Sequence, residues 1–232
     1  MSDQERNRVK SLPIRRTDLD RLTPFSFSCM RCLKCCESKR IQVNPYEIAR
    51  LARNLGISTT EFISGYTEGG GSFLKFDDHG KCFFLGPEGC RVHADRPLVC
   101  RLYPLGRHLN ARNEEWFSEI EPDPECLGEY GNEAALEDYL DEQETEIYIQ
   151  ATNRYLDLLW QMMDLLEKSH ECDEVDGPPS DGEHNMLENG EWLDMDAAVS
   201  NYCRRTGNSI PLDLEEKTRL HQEALHLWIN QS

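Results

Sequence analysis

Four thiols fall within the eight residues Cys29-Met30-Arg31-Cys32-Leu33-Lys34-Cys35-Cys36, and that density constrains the local fold more than any other feature. A regular helix or strand would point these side chains to different faces. A loop wrapped around an ion can turn them inward. Cys82, Cys90, Cys100 and Cys126 follow at wider spacing. The expectation is that the chain up to about residue 130 folds around metal held by these thiolates.

Cys29-x2-Cys32 has the short spacing used by zinc knuckles and by iron–sulfur loops. Cys35 extends it to C-x2-C-x2-C, the run that opens bacterial ferredoxin motifs, where a fourth cysteine comes from elsewhere. The C-x3-C-x2-C spacing of radical-SAM proteins is absent, because Lys39 stands where the third cysteine would be. Neighbouring Cα atoms lie about 3.8 Å apart, too close for an unstrained Cys35–Cys36 disulfide. Those two thiolates would serve two different ions, or one would stay a free thiol. Two four-thiolate sites and one site with spares both remain open. Cys172 and Cys203 stand apart and read as small buried hydrophobes. His93 and His108 are candidates to complete a mixed site, though each fits an ordinary surface or core role as well. Arg96, Arg101 and Arg107 could offset the negative charge of clustered thiolates or simply pair with nearby acids.

The chain carries 43 acidic against 25 basic residues, a net charge of −18. Such a field repels phosphate backbones, so no nucleic-acid partner is expected. The acid lies mostly beyond Glu114, whereas residues 1–21 lean basic through Arg6, Arg8, Lys10, Arg15, Arg16 and Arg21. That arm reads as solvated surface and a frayed terminus, with intramolecular pairing or a partner surface as the other readings. Charged residues interrupt Met1 to Leu22, so no signal peptide is expected, and no stretch is apolar enough for a membrane span. The location expected is cytoplasmic. Ten cysteines in that reducing compartment argue for metal or redox chemistry rather than a disulfide framework.

The expected fold class is α+β: a small cysteine-rich metal-binding domain of short helices and hairpins, then a mainly helical C-terminal region. Residues 1–24 form a basic N-terminal arm and 25–130 the cysteine-cluster domain. Residues 131–171 form a long helical segment, 172–190 an acidic flexible linker, and 191–232 the C-terminal helices. Phe25 and Phe27 suggest a short strand or turn, and Ile41-Gln42-Val43 a short strand. Asn44-Pro45 is a helix start, with Asn as N-cap and Pro in the first turn, and Gly56 is its stop. Ser58-Thr59-Thr60-Glu61 is a capping box opening a second helix. Phe73–Phe76 and Lys81–Leu85 flank Asp77-Asp78-His79-Gly80 as a hairpin, and Gly86-Pro87-Glu88-Gly89 makes another turn before Cys90. A short helix is expected from Ala94 to Tyr103, strands at Leu105–Leu109 and Glu115–Ile120, and a helix, interrupted or continuous, from Glu133 to about His170. Helices at Asp194–Arg205 and Leu212–Ile229 close the chain.

These residues together resemble the YkgJ-type cysteine-cluster proteins, a zinc- or iron-chelating domain with a CxxCxxCC signature. The resemblance rests on Cys29-x2-Cys32-x2-Cys35-Cys36, the helical pair from Asn44 to Thr67, Gly80-Lys81-Cys82-Phe83-Phe84-Leu85, and the run from Cys90 to Pro104. His93 departs from the aromatic residue usual there. The resemblance implies eight metal ligands: Cys29, Cys32, Cys35, Cys36, Cys82, Cys90, Cys100 and Cys126. The flagellin lysine methylases look like relatives with such a cysteine set, which would imply protein modification, although no methyl-donor site is visible. The favoured cofactor is an iron–sulfur cluster (4Fe–4S) in a redox, sensing or protein-modifying role. The alternative is structural zinc, in a module that meets a protein partner through its helical C-terminal region. No catalytic residue can be picked out from the sequence, and no membrane partner is expected.

Overall fold

The computed structural model describes residues 13–110, 112–172 and 190–230. It is a mixed α+β chain in which short antiparallel sheets precede a helical C-terminal region. It divides into two compact units, residues 1–35 with 99–145 and residues 36–98 with 146–232. The acidic segment expected as a linker lies outside the described residues, apart from its ends.

The first unit is built on two antiparallel sheets. β1 (Ile14–Leu19), β8 (Glu115–Ile120) and β7 (Leu105–Leu109) form one in the order β1-β8-β7, and β2 (Pro24–Ser28) pairs with β9 (Glu129–Ala135) in the other. The basic arm is thus recruited, at Ile14–Leu19, as an edge strand. Its arginines pair intramolecularly: Arg15 and Arg16 with Glu119, and Arg21 with Glu115. Phe25, Phe27, Phe117 and Leu105 alternate inward along their strands and are buried. Phe27 sits among Tyr103, Tyr130 and Tyr139, with ring centroids 6.1, 4.8 and 6.4 Å away.

Helical periodicity begins later than Glu133. Residues Glu129–Ala135 pair with β2 instead, Phe27 opposite Tyr130 and Ser28 opposite Glu129. Cross-strand aromatic packing outweighs the weak helical pattern of Glu133–Ala135. The helix divides into α4 (Leu136–Glu142) and α5 (Glu146–Cys172), with Glu144 left-handed at φ 52° between them.

In the second unit, α1 (Pro45–Leu55) and α2 (Thr59–Tyr66) carry the expected caps. Glu47 N–H donates to the Asn44 side chain, and the Glu47 carboxylate accepts the Asn44 N–H in return. Ser58 and Glu61 repeat the arrangement. Gly56 is left-handed at φ 70° and ends α1. The hairpin about Asp77–Gly80 is only partly formed. Its loop closes through Asp77, whose N–H bonds the Lys81 carbonyl, but its flanks meet at the single bridge Phe76–Cys82. Phe73–Leu74 (β4) pairs instead with Thr67–Glu68 (β3). Ile41–Val43 likewise contributes only the bridge Gln42–Phe73. The turn after Gly86 is a hairpin of Leu85–Gly86 (β5) with Gly89–Cys90 (β6). Around Pro97 the expected helix splits into a 3₁₀ turn at His93–Asp95 and α3 (Leu98–Leu102), because Arg96 before the proline is held extended at ψ 144°. α6 (Met195–Thr206) and α7 (Leu214–Ile229) close the chain, capped by Asp194 and Asp213. Among the described residues no helix is long and apolar enough to cross a membrane.

Candidate metal centre

The cysteine loop lacks regular structure until the 3₁₀ turn Lys34–Cys36. Arg31 and Leu33, the residues either side of Cys32, are left-handed at φ 52° and 68°. Side chains with a Cβ take that conformation at a cost, and such strain gathers where a ligand is clamped. Here it curls the backbone so that amides turn toward sulfur. The Arg31 N–H donates to Cys29 Sγ at 3.4 Å, and the Lys34 N–H donates to the Cys32 sulfur. The Gly128 N–H donates to Cys126 Sγ at 3.4 Å. In each case the donor lies two residues beyond the thiol.

Cys126 belongs beside this loop. Its thiol is hydrogen-bonded with that of Cys32, the Leu127 N–H reaches the Cys32 sulfur, and Lys34 and Glu125 form an ion pair. Burial pushes the Cys32 thiol up, but the Leu127 and Lys34 amides and the Cys126 contact outweigh it and hold it below the usual thiol value. Cys126 goes the other way: burial and the neighbouring Cys32 charge raise it, against donation from the Gly128 amide and the Tyr103 hydroxyl. Burial, with the charges of Cys126 and Cys35 added, pushes Tyr103 itself up to about 12. The aromatic core sets its place, since Tyr139 Oη donates to the Tyr103 carbonyl at 2.5 Å. Sequence reasoning did not identify Tyr103 or the 127–128 amides, which no residue-type pattern distinguishes.

Cys29, Cys32, Cys35, Cys100 and Cys126 thus lie in the first unit, and Cys36, Cys82 and Cys90 in the second. Within the second unit, the bridge Glu37–Lys81 sets Cys36 opposite Cys82, whose N–H bonds the Cys36 carbonyl at 2.9 Å. Side chains opposite one another share a face with Cβ atoms about 5 Å apart. Cys90 stands in the adjoining hairpin, paired with Leu85, whose N–H bonds the Cys82 carbonyl. A stack of Phe62, Tyr66 and Phe84 supports this ribbon, with Phe84 6.0 Å from Phe62 and 5.5 Å from Tyr66. All eight cysteines are free thiols, yet among the described residues no three Cys, His, Asp or Glu side chains close to coordinating distance.

The remaining candidates have other partners. His108 stacks on Trp116 at 5.3 Å, with Nε2 2.9 Å from Ser118 Oγ. His93 Nδ1 lies 3.3 Å from Arg96. Arg107 pairs with Glu115, and Arg101, buried, donates to the Gln143 carbonyl. Cys203 is buried in α6 and donates to the Ser209 carbonyl at 3.6 Å. The Cys172 side chain lies outside the described residues.

The donor set suits a soft or borderline metal: His93 and His108 have other partners, and its amide donors hold Cys32 toward thiolate. Residues 28–122 match the family model CxxCxxCC, described as "Putative zinc- or iron-chelating domain". That similarity supports a metal-binding role for the region. Seven of the eight cysteines lie inside the matched span, and Cys126 lies beyond it. The chain is also 27% identical over 128 residues to an uncharacterized protein of Methanocaldococcus jannaschii, covering 50% of this chain and 65% of that protein. The match therefore spans under two thirds of the relative's length. No solved structure matches the chain.

Proposed function

We propose that the eight cysteines hold an iron–sulfur cluster, making this a cytoplasmic redox or sensing protein. The observation carrying the reading is the repeated amide-to-sulfur donation at Cys29, Cys32 and Cys126. Hydrogen bonds to cluster sulfurs are one of the main protein controls on reduction potential. The C-x2-C-x2-C run supports it, being the ligand run of ferredoxin loops. The thiols of each unit would act together, Cys29, Cys32, Cys35, Cys100 and Cys126 in one and Cys36, Cys82 and Cys90 in the other. A protein partner would meet the helical C-terminal region, and a protein-modifying activity would draw its substrate from the same class.

The test is metal and sulfide analysis of protein purified without oxygen. Iron with acid-labile sulfide, and a visible absorption bleached by dithionite, is the expected result. Stoichiometric zinc in a colourless protein would replace this reading with a structural zinc module, for which chelation should unfold the cysteine domain with no redox signal.

A further inference from the structure

Two register slips in the first unit open a gap between its strands. β1 slips against β8 on either side of Arg16, and β2 slips against β9 between Pro24 and Ser26. Irregular pairing of this kind bends a strand and re-aims its side chains. The result is a gap of about 150 Å³ lined by Arg15, Arg16, Phe25, Glu119, Tyr130 and Asn132. None of these residues belongs to the cysteine set.

Glu119 is 2% exposed and accepts from Arg15 Nη1 at 3.0 Å and Arg16 Nε at 2.5 Å. Two guanidinium groups against one carboxylate leave the lining with a net positive charge. Each guanidinium has five N–H donors. Among the described residues Arg15 commits one, to Glu119, and Arg16 adds only a bond to the Pro24 carbonyl at 3.3 Å. Spare donors therefore remain, on side chains whose position the buried carboxylate fixes. The nearby acid Glu133 is exposed, accepts from Ser26 Oγ at 2.6 Å, and does not line the gap.

Tyr130 supplies the second observation. Its hydroxyl is buried and has no hydrogen-bond partner among the described residues. Burial holds the phenol well above its ordinary value, so it stays protonated and is a donor without an acceptor. A buried polar group left unpaired costs on the order of 1–3 kcal/mol, and native proteins rarely carry one without a use.

We propose that this gap binds a small oxyanion, a short-chain carboxylate or a single inorganic oxyanion, on Arg15, Arg16 and the Tyr130 hydroxyl. The volume is well below the roughly 300 Å³ of the smallest drug-sized pockets, which excludes nucleotides. The chain's net charge of −18 does not oppose this at physiological salt, where charges more than about 8 Å away are largely screened.

The experiment is titration of the full chain, as purified with its metal, with acetate, phosphate and chloride at constant ionic strength, followed by calorimetry and by amide NMR. Saturable binding of one acetate or phosphate per chain is expected, shifting the amides of β1 and of residues 130–132. The two salts distinguish an organic from an inorganic ligand. Arg15→Gln and Tyr130→Phe should each weaken binding by at least about tenfold, the loss of one charge-assisted bond. Tyr130→Phe removes a hydroxyl without a partner, so it should fold with parental or greater stability, which separates binding from folding. A response to chloride equal to the others, no saturation with either oxyanion, or unchanged binding by Tyr130→Phe would overturn the proposal.

Discussion

His221 makes the pH dependence of stability calculable. It is completely buried on α7, and Tyr155 Oη lies 2.9 Å from its Nδ1. Burial keeps the Tyr155 phenol far above its ordinary value, so the phenol donates and the imidazole accepts. That places the imidazole proton on Nε2, which faces the Trp192 carbonyl without closing a hydrogen bond. Protonating Nδ1 would break the Tyr155 bond and bury a charge. Burial therefore depresses the group from 6.5 to about 4, against smaller opposing effects of Asp194, the Trp192 carbonyl and Asp196. Between those values the unfolded chain binds a proton that the folded one refuses, so acidification favours unfolding. The contribution is fully present above about pH 6.5 and lost as pH falls toward 4. At about 1.4 kcal/mol per tenfold in proton affinity, the whole window is worth about 3 kcal/mol, and about 2 of that is gone by pH 5. Urea unfolding of the parent and of His221→Gln at pH 7.5 and pH 5 measures it. Metal release and carboxylate protonation affect both proteins and cancel in the comparison. The parent should lose about 2 kcal/mol more than the variant. Equal losses would refute the reasoning.

Asn44→Ala removes the α1 cap and its bond to Thr152 Oγ1 at 3.1 Å, and should cost about 1–2 kcal/mol in urea unfolding. Phe62→Ala empties the centre of the stack under the Cys82 ribbon, where Phe62 is fully buried. It should cost about 3–5 kcal/mol, lowering the urea midpoint by roughly 1–2 M. Cys126→Ser should reduce bound metal per chain, measured by plasma emission spectrometry, because Cys126 is hydrogen-bonded to Cys32. Cys203→Ser should leave metal content unchanged, since that thiol is occupied with the Ser209 carbonyl inside α6.

What the sequence revealed tracks the distance over which each signal acts. The caps of α1 and α2 were legible because Asn44 and Ser58 bond a residue three positions on, and both capping boxes formed. The strands at Leu105–Leu109 and Glu115–Ile120 were expected from short segments between turn residues, and they pair in register from Leu105–Glu119 to Leu109–Glu115. β9 was not, because Gly131, Asn132 and Glu133 have no strand preference of their own and become one only against Pro24 and Ser26, about a hundred positions away. The Asp77–Gly80 hairpin formed only in part for the same reason. Its loop is local and closed, while Phe73 and Leu74 took Glu68 and Thr67 as partners.

The cysteine motif divides along the same line. Its spacing is local and announces thiolates for metal, but the features that make those thiolates usable are amide directions and one distant thiol. Arg31 and Leu33 have no residue-type preference for left-handed backbone, so nothing in the string marks them as the turns that aim the amides. Glycine at either position would adopt the same φ without steric cost, yet it would also free the loop in the unfolded chain. Side chains there keep the loop committed to one curl, at the expense of local strain. That trade would suit a preorganised ligand loop, in which thiols already accept amides before a metal binds. Cys126 completes the logic from outside the motif: its loop repeats the donor two residues on, and the Lys34–Glu125 ion pair and the Cys32 contact dock it against the first curl. Within this unit the stretch from Cys29 to Cys35 and the turn from Asp123 to Gly128 are thus two amide-donating loops held against one another.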